Sequence, residues 1–332
     1  MVNRRSAILP GLAAAAVSSM LYALAVGSVD LSMPEVWSAL GSADAPGADI
    51  VRGLRLPRAV AGLAVGAALA LSGALLQALL RNPLADPYVL GISGGAAVAA
   101  LLALIVGLQA AAVQAAAVAG ALVTLALLFL LARRSLYSSE SGSGEQAMGS
   151  VLLTGVMLAS FAAALMSLML SLAPDGRLRT MVFWLLGDLS AATSLVPALF
   201  ALALAGVLYL LARVDARALN LMLRGDLQAY TQGVRVAATR RRLVLIAAVA
   251  TASAVTLAGA VGFVGFVAPH LVRRLIGNDQ RVVLPASMRL GGALVVVADT
   301  LARSAFAPRQ LPVGVLTALI GVPVFLWFLG RR

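Results

Sequence analysis

The sequence contains no lysine and no cysteine, and it has a single histidine, His270. Without lysine the chain cannot supply the phosphate-binding lysine of a P-loop, and Schiff-base chemistry is excluded for the same reason. Without cysteine, thiolate nucleophiles, cysteine-ligated zinc and disulfide bonds are excluded as well. One histidine cannot form a metal site with several histidine ligands. The sequence therefore predicts no metal site and excludes many classes of enzyme.

Charge is also scarce. Only 11% of the residues are charged and 61% are hydrophobic, and the mean hydropathy is +0.99. Soluble domains carry about 25% charged residues, so lipid is the solvent expected for most of this chain. The net charge of +12 could suggest nucleic-acid binding, but the arginines lie in the gaps between apolar runs. Membrane topology explains them more simply, and we expect no nucleic-acid partner.

Apolar runs long enough to cross a bilayer core of about 30 Å recur along the chain. The composition therefore predicts an all-α polytopic membrane protein that forms a single transmembrane domain over residues 1–332. The predicted runs are Ser6–Val29, Ala59–Leu80, Pro87–Ala132, Gln146–Pro174, Leu189–Ala212, Leu243–Val272, Gln310–Gly330 and Val282–Ala302, the last interrupted by Arg289 and Asp299.

Two of these runs decide the number of crossings. Pro87–Ala132 is too long for one crossing and is predicted to turn near Gly107–Gln109. Leu243–Val272 is either one tilted helix or two short helices broken around Gly259, Gly262 and Gly265, which gives nine or ten spans.

Arginine distribution favours ten spans. Cytoplasmic loops are enriched in arginine and lysine. With the N-terminus inside and Arg289 left out, ten spans place 17 arginines inside and seven outside, whereas nine spans place 14 inside and 10 outside. We therefore predict ten spans with both termini cytoplasmic. The first run resembles a cleavable signal peptide, but it is longer than the usual 7–15 apolar residues and is interpreted as a retained span.

Two motifs combine proline with charge. The first lies in the turn between the second and third spans, where proline disfavours helix in the preceding residue; a rigid cytoplasmic hairpin is its simplest interpretation. The second lies at the end of the Gly-rich run, where a lone histidine beside a proline is more often an interfacial hydrogen-bonding residue than a ligand. The residues singled out are Arg81, Asn82, Pro83, Asp86, Pro87, Pro269, His270 and Arg273.

The loop from about 213 to 242 is the longest polar stretch on the predicted cytoplasmic side. It is predicted to form short helices over Ala216–Leu223 and Asp226–Gln232, separated by Gly225 and closed by Gly233, with Asp226 as an N-cap. Leu219, Met222 and Leu223 would form an apolar patch. The loop is either an ordinary basic loop or a docking surface for a cytoplasmic partner.

A fourth charged group lies on the predicted external side. Arg52, Arg55 and Arg58 are spaced three apart and would form one stripe on a helix. Asp299 and Arg303 are four apart and are predicted to form an intramembrane charge pair. An external arginine cluster suits an acidic protein partner or an anionic chelate, although snorkelling of arginine side chains at the interface is an alternative.

The chain resembles the permease subunits of bacterial ATP-binding-cassette (ABC) importers for ferric siderophores, haem and vitamin B12. The resemblance covers nearly the whole chain. It departs from the family at Gln310, where a Glu is common, and at Gln280, where a His is common. The motifs that carry it are Arg55–Arg58, Leu71–Gly73, Arg81–Pro87, Gly262–Arg274, Leu284–Pro285, Ala298–Arg303 and Leu311–Gly314.

The resemblance implies a ten-helix subunit of the bacterial inner membrane that forms a homodimer. It implies two cytoplasmic ABC ATPase subunits, which would bind ATP and Mg, and a soluble substrate-binding protein; no cofactor is expected on this chain. Arg55, Arg58 and Arg303 match external arginines that receive acidic residues of the binding protein. The segment 219–236 matches helices that contact the ATPase, and Ser135–Ser150 falls where the family has its inner gate.

The sequence leaves the substrate open. An iron chelate, either a ferric siderophore or haem, is the first expectation, and cobalamin is the alternative. A secondary transporter driven by an ion gradient is a remoter alternative, since such proteins keep carboxylates or histidines within their spans and Asp299 is the only acidic candidate here. No catalytic residue is predicted.

Overall fold

The computed structural model describes residues 2–27, 29, 31–137, 144–305, 307 and 309–329. Within these residues the chain is helical, with no β-strand, and it contains a π-helical segment at Asp49–Arg55 and a 3₁₀ turn at Pro87–Leu90. The α-helices are α1 Val2–Ala25, α2 Met33–Gly41, α3 Leu56–Leu79, α4 Ile92–Val106, α5 Ala110–Leu131, α6 Arg133–Tyr137, α7 Gly144–Leu172, α8 Asp175–Leu186, α9 Leu195–Val214, α10 Ala216–Met222, α11 Asp226–Thr231, α12 Val236–Ala258, α13 Val264–Ile276, α14 Gln280–Ser304 and α15 Val313–Leu329.

Seven helical segments in the described part of the chain are long and apolar enough to cross a membrane. Two shorter apolar helices, Ile92–Val106 and Val313–Trp327, accompany them. The prediction of an all-α membrane fold is confirmed, while the count of ten spans and the cytoplasmic termini stay predictions. The seven segments are Ile8–Ala25, Asp49–Leu79, Ala110–Leu131, Met148–Leu172, Leu195–Val214, Val236–Ala258 and Gln280–Ser304.

Helix α3 is the centre of the bundle, and 94% of its apolar window is buried. Its 24 residues span about 36 Å at 1.5 Å per residue. Small residues bring its neighbours close, since a Cβ built at Gly66 would overlap the backbone of Gly291, and one at Gly73 would overlap the carbonyl of Gly265. Helix association in lipid depends on such close packing of small residues. Because α3 packs against its neighbours along its whole length, it connects the side chains at its two ends.

The turn between α4 and α5 lies where the sequence placed it. Gly107 ends α4 with φ +86°, a conformation that favours glycine. Gly95 on α4 and Gly120 on α5 face each other so closely that a Cβ on either would overlap the partner helix. The long apolar run is thus confirmed as two antiparallel helices.

The ambiguous run of residues 243–272 is also two helices. Helix α12 ends at Ala258, and Gly259 and Phe263 both adopt positive φ values of +67° before α13 begins. A side chain at Gly259 would overlap the carbonyl of Trp184. The interruption confirms the two-helix alternative of the sequence analysis.

Helices α2 and α8 lie outside the predicted apolar runs, since they have nine and 12 residues and carry charged side chains. The helix expected around Arg52 and Arg55 is π-helical. Helix α2 does have a local start signal, since Ser32 donates its backbone N–H and its hydroxyl to the Glu35 carboxylate, both at 2.7 Å. The segment Ser135–Ser150 is only partly described. Residues 138–143 lie outside the described residues, and from Gly144 onward the chain is already in α7.

Candidate functional site

One charged cluster lies where α3 begins and α14 ends. Arg58 forms a bidentate ion pair with Asp299, in which Nε lies 2.8 Å from Oδ2 and Nη2 lies 2.9 Å from Oδ1. Its Nη1 donates to Gln310 Oε1 at 2.9 Å. The Asp299 side chain is 5% exposed. We call Arg55, Arg58, Asp299, Arg303 and Gln310 the Asp299 cluster. A bidentate arginine–carboxylate pair of this kind fixes the orientation of both helices.

The two other arginines of the Asp299 cluster bind the C-terminal end of α1. Arg55 is 4% exposed and donates to the carbonyls of Leu24 at 2.7 Å and Ala25 at 2.8 Å. Arg303 is 9% exposed and donates to the carbonyl of Ala23. The last carbonyls of a helix lack partners within it and carry negative partial charge. Both arginines therefore tie α1 to α3 and α14.

This geometry corrects two expectations. Asp299 is hydrogen-bonded to Arg58, and Arg303 attracts it only at longer range. The spacing of four along α14 shows local neighbours and not a partner 241 residues away in sequence. The arginines at 52, 55 and 58 do not form one stripe either, since residues 49–55 are a π-helix, whose turn differs from that of an α-helix. Arg52 is exposed and donates to the carbonyl of Leu40 at 2.6 Å.

A cleft of about 300 Å³ opens beside the Asp299 cluster, lined by its arginines together with Ser190, Thr193 and Gln310. Three arginines face one carboxylate within the cluster, so its formal charge is +2. Most guanidinium donors already have a partner, although Arg303 Nε is buried without one. The cleft presents a positive field to solvent, as expected for a surface that attracts an acidic partner.

A second charged cluster lies where α3 ends and α11 and α12 begin. Arg81 Nη2 is 2.6 Å from Asp226 Oδ1, and Arg240 pairs with the other oxygen of the same carboxylate. Arg81 Nε also donates to the carbonyl of Met222, at 3.0 Å. We call Arg81, Asp226 and Arg240 the Asp226 cluster. Asp226 is the first residue of α11 and Gly225 is its N-cap, so the predicted capping role of Asp226 is wrong by one position.

Helices α10 and α11 closely match the predicted short helices of the 213–242 loop. Gly225 at φ +132° and Gly233 at φ +82° provide the breaks. The expected apolar patch faces the bundle, because Leu219 and Met222 are buried and Leu223 is half-buried. The large apolar side chains exposed on α11 are Leu227 and Tyr230, at 62% and 60%.

The turn between α3 and α4 is held by its own side chains. Asn82 Oδ1 accepts from the backbone N–H of Leu84 at 2.9 Å, and Asp86 caps the 3₁₀ turn by accepting from the N–H of Tyr88 at 2.8 Å. Burial raises the pKa of Asp86, and the hydrogen bond from Tyr88 partly offsets this. Pro83 is exposed, whereas Pro87 packs against Gly265. This supports the prediction of a rigid hairpin.

Helix α13 is fastened to α3 by a buried amide. Gln77 Nε2 donates to the carbonyls of Gly265 and Phe266, at 3.3 and 3.2 Å, and Arg273 donates to Gln77 Oε1. Pro269 is buried, and His270 meets the ring of Phe325 edge-on at 5.4 Å. Among the described residues no group of three metal-ligating side chains occurs.

Known proteins share this sequence pattern and architecture. A model of the FecCD transport family matches residues 15–331. The cobalamin import system permease protein BtuC of Halobacterium salinarum is 40% identical over 85% of this chain and 74% of its own length. The hemin transport system permease protein HmuU of Yersinia pestis is 35% identical over 92% of this chain and 90% of its own.

A solved structure described as an inward-facing conformation of an ABC transporter of the metal-chelate type superposes with a TM-score of 0.83 and 29% identity. The match covers 99% of this chain and all of that one. The chain belongs to the FecCD transport family and is a multi-pass inner-membrane permease subunit of the ABC importer type that serves iron siderophores, haem and vitamin B12.

Proposed function

We propose that this chain forms a homodimer and carries a metal chelate across the inner membrane by alternating access, driven by ATP hydrolysis on separate subunits. The observation that carries the proposal is the full-length similarity to importer permeases. The absence of lysine supports the assignment of hydrolysis to a partner, because a P-loop needs one.

We propose ten crossings with both termini cytoplasmic. The seven long and two short apolar helices account for nine, and α13 is the tenth. In this orientation the Asp226 cluster and the basic loop of residues 213–242 face the cytoplasm, in accord with the enrichment of arginine in cytoplasmic loops. The Asp299 cluster then faces the external side.

The cytoplasmic ATPase is proposed to contact α10 and α11. Exposed Leu227 and Tyr230 supply apolar contact area, while Leu219 and Leu223 hold the helices on the bundle. Gly225 and Gly233 set the angles of α11. Movement of the ATPase would therefore reach the bundle through short helices that are packed against it.

The binding protein is proposed to dock at the Asp299 cluster. Arg55 and Arg303 are buried and bound to carbonyls of α1, so they act mainly through their charge. Arg58 is partly exposed and is the member best placed for contact. An acidic partner would be attracted by the field, and this attraction should weaken with salt.

An iron chelate, a ferric siderophore or haem, is the proposed substrate, and cobalamin is the second candidate. Permeases named for hemin and for cobalamin are both similar over most of this chain. A gradient-driven mechanism is disfavoured because Asp299, the carboxylate within α14, is already paired with Arg58.

The test is uptake into proteoliposomes that contain the chain with its ATPase and binding protein. Labelled ferric siderophore, haem and cobalamin would be offered separately, and each unlabelled compound would serve as competitor. ATP-dependent uptake of an iron chelate that excess cobalamin does not reduce supports the first candidate. Uptake of cobalamin alone would replace it with the second.

A further inference from the structure

The Asp226 cluster joins three elements through a single carboxylate. Asp226 belongs to α11, Arg81 follows α3, and Arg240 lies near the start of α12. One side chain on the short helix is thus bound simultaneously to the central helix of the bundle and to its neighbour. A movement of α11 must therefore either displace the two arginines or break their ion pairs.

The pair between Asp226 and Arg240 is sheltered from solvent, whereas the Arg81 side chain is 29% exposed. The Arg240 side chain is 5% exposed and that of Asp226 is 17% exposed. Arg240 Nε is buried without a hydrogen-bond partner, so Asp226 provides its charge compensation in the described structure. Removing one member of a sheltered pair leaves the other charge poorly compensated.

Arg81 is held in an uncommon backbone conformation. Its φ is +49°, one of two positive values among the described non-glycine residues, and such conformations persist only where the surroundings enforce them. Backbone hydrogen bonds of the helix end supply that enforcement, since the N–H groups of Arg81 and Asn82 donate to the carbonyls of Ala78 and Gln77, at 3.3 and 3.1 Å. The side chain of this fixed residue reaches Asp226 and the carbonyl of Met222, so the cap of α3 is tied to α11 and α10.

The same cluster borders α7. A cleft of about 210 Å³ is lined by Arg81, Asp226 and Arg240 on one side and by Met148 and Gly149 of α7 on the other. Met148 is buried. The start of α7 and the Asp226 cluster thus line the same cleft, so a displacement of Asp226 changes the wall that faces α7.

We propose that Asp226, bridging Arg81 and Arg240, is a positioning residue that transmits movement of α10 and α11 to the end of α3 and the start of α7. This inference rests on the proposed function, in which α10 and α11 receive movement from an ATPase. Asp226 acts through the two arginines and does not itself contact substrate or ATP.

Asp215 provides a matched control. Its carboxylate also pairs with an α12 arginine, Arg242, at 2.6 Å, but the Arg242 side chain is 61% exposed. Neither residue lines the cleft beside α7. Asp215 is itself buried, but its partner Arg242 stays hydrated without it, so the pair contributes little, and its loss leaves the Asp226 cluster intact.

The experiment compares Asp226→Asn and Asp215→Asn in the complete transporter, reconstituted in proteoliposomes. Substrate uptake and ATP hydrolysis are both measured, and their ratio is the readout. We expect Asp226→Asn to lower uptake per ATP hydrolysed by at least about fivefold, the low end of a typical coupling energy. Asp215→Asn should keep the ratio within about twofold of the unaltered chain.

A second measurement covers the case in which Asp226→Asn folds poorly. Arg81→Gln removes one arm of the bridge and should lower the same ratio, whereas Asp226→Glu should restore most of it. Because the chain lacks cysteine, spin labels can be placed at Leu153→Cys on α7 and Gln228→Cys on α11, both exposed. ATP should change the distance between the labels in the Asp215→Asn background and not in the Asp226→Asn background.

The outcomes are distinguishable. Equal loss of uptake and hydrolysis in Asp226→Asn, with the ratio unchanged, would overturn the inference, because a merely structural defect reduces both together. An ATP-dependent change of the label distance in Asp226→Asn as large as that in Asp215→Asn would overturn it as well. Absence of ATP-driven uptake by the unaltered chain would instead overturn the proposed function, and this inference with it.

Discussion

The two ends of α3 use the same chemistry for different purposes. At the Asp299 cluster, one carboxylate takes one arginine in a bidentate pair, and the remaining arginines bind carbonyls of α1. All these contacts join long, apolar helices. At the Asp226 cluster, one carboxylate is shared by two arginines from different elements, and it sits on a six-residue helix outside the long spans. The first arrangement fixes the bundle, and the second connects it to a mobile partner in the proposed mechanism.

The difference shows how burial and partner number set the role of an ion pair. A pair enclosed by long helices is costly to break. A shared carboxylate at the boundary of the bundle can move with its short helix. The predictions that follow separate these roles, beginning with the largest effect.

Breaking the Asp299 cluster should have the largest effect on stability. Asp299→Asn leaves the Arg58 charge uncompensated beside Arg303, and we expect the free energy of unfolding to fall by about 3–5 kcal/mol. Denaturant titration of the detergent-solubilised chain measures this. The double variant Arg58→Met with Asp299→Leu should recover much of the loss, because apolar replacement of both partners is often neutral. A double variant as unstable as the single one would contradict this account.

Placing a larger side chain between α3 and α13 should lower the free energy of unfolding by a somewhat smaller amount. A Cβ at Gly73 would overlap the carbonyl of Gly265, so Gly73→Ala must push two packed backbones apart, at about 1–3 kcal/mol. Gly206→Ala in α9 is the control, since nothing lies within 4 Å of a Cβ there, and alanine should stabilise that helix by about 0.5–1 kcal/mol. Thermal unfolding followed by circular dichroism distinguishes them, and equal shifts in Tm would refute the close packing.

Substitution of the two carboxylates near α12 should lower the free energy of unfolding by different amounts, just as it should affect coupling differently. Asp226→Asn removes charge-assisted hydrogen bonds to two arginines, one of them sheltered, and we expect a loss of about 1–3 kcal/mol. The side chain of Asp215 is 9% exposed, but that of its partner Arg242 is 61% exposed and stays hydrated when the carboxylate is lost, so Asp215→Asn should cost about 1 kcal/mol at most. Denaturant titration of both variants tests the order. The reverse order would contradict the burial argument.

The smallest expected effect is the pH dependence of α2. Hydrogen bonds from the Ser32 hydroxyl and backbone N–H lower the pKa of Glu35. Its stabilising contribution is therefore present above the pKa of the unfolded chain and is lost as the pH falls through the lowered pKa of the folded chain. The protection of the α2 amides against hydrogen exchange, relative to their intrinsic exchange rates at each pH, should fall over that acidic range. Glu35→Gln should remove this pH dependence. Identical pH profiles for both chains would count against the assignment.

Local signals predicted much of the fold. The turn at Gly107, the break after Ala258 and the short helices on either side of Gly225 all follow from glycine interrupting an apolar or helical pattern. Helices α2 and α8 were not predicted, because each is shorter than a membrane span and carries charged side chains. Their start signals, Ser32 with Glu35 and Pro174 with Asp175, are present in the sequence.

The candidate sites were predicted only in part. The residues of both clusters except Arg240 were predicted, but the pairings of Arg58 with Asp299 and of Arg81 with Asp226 span 241 and 145 residues. One sequence shows spacing along a helix and nothing about partners so distant. The burial of Leu219 also depends on the packing of the whole bundle.

The most direct test of the central claim measures uptake with two energy sources. Proteoliposomes containing this chain, its ATPase and its binding protein receive labelled ferric siderophore, haem or cobalamin, either with ATP inside the compartment that the ATPase faces or with an imposed proton or sodium gradient. We predict uptake of one ligand that requires ATP and the ATPase and is unaffected by the gradient. Gradient-driven uptake by the chain without its ATPase would contradict the account and identify a secondary transporter.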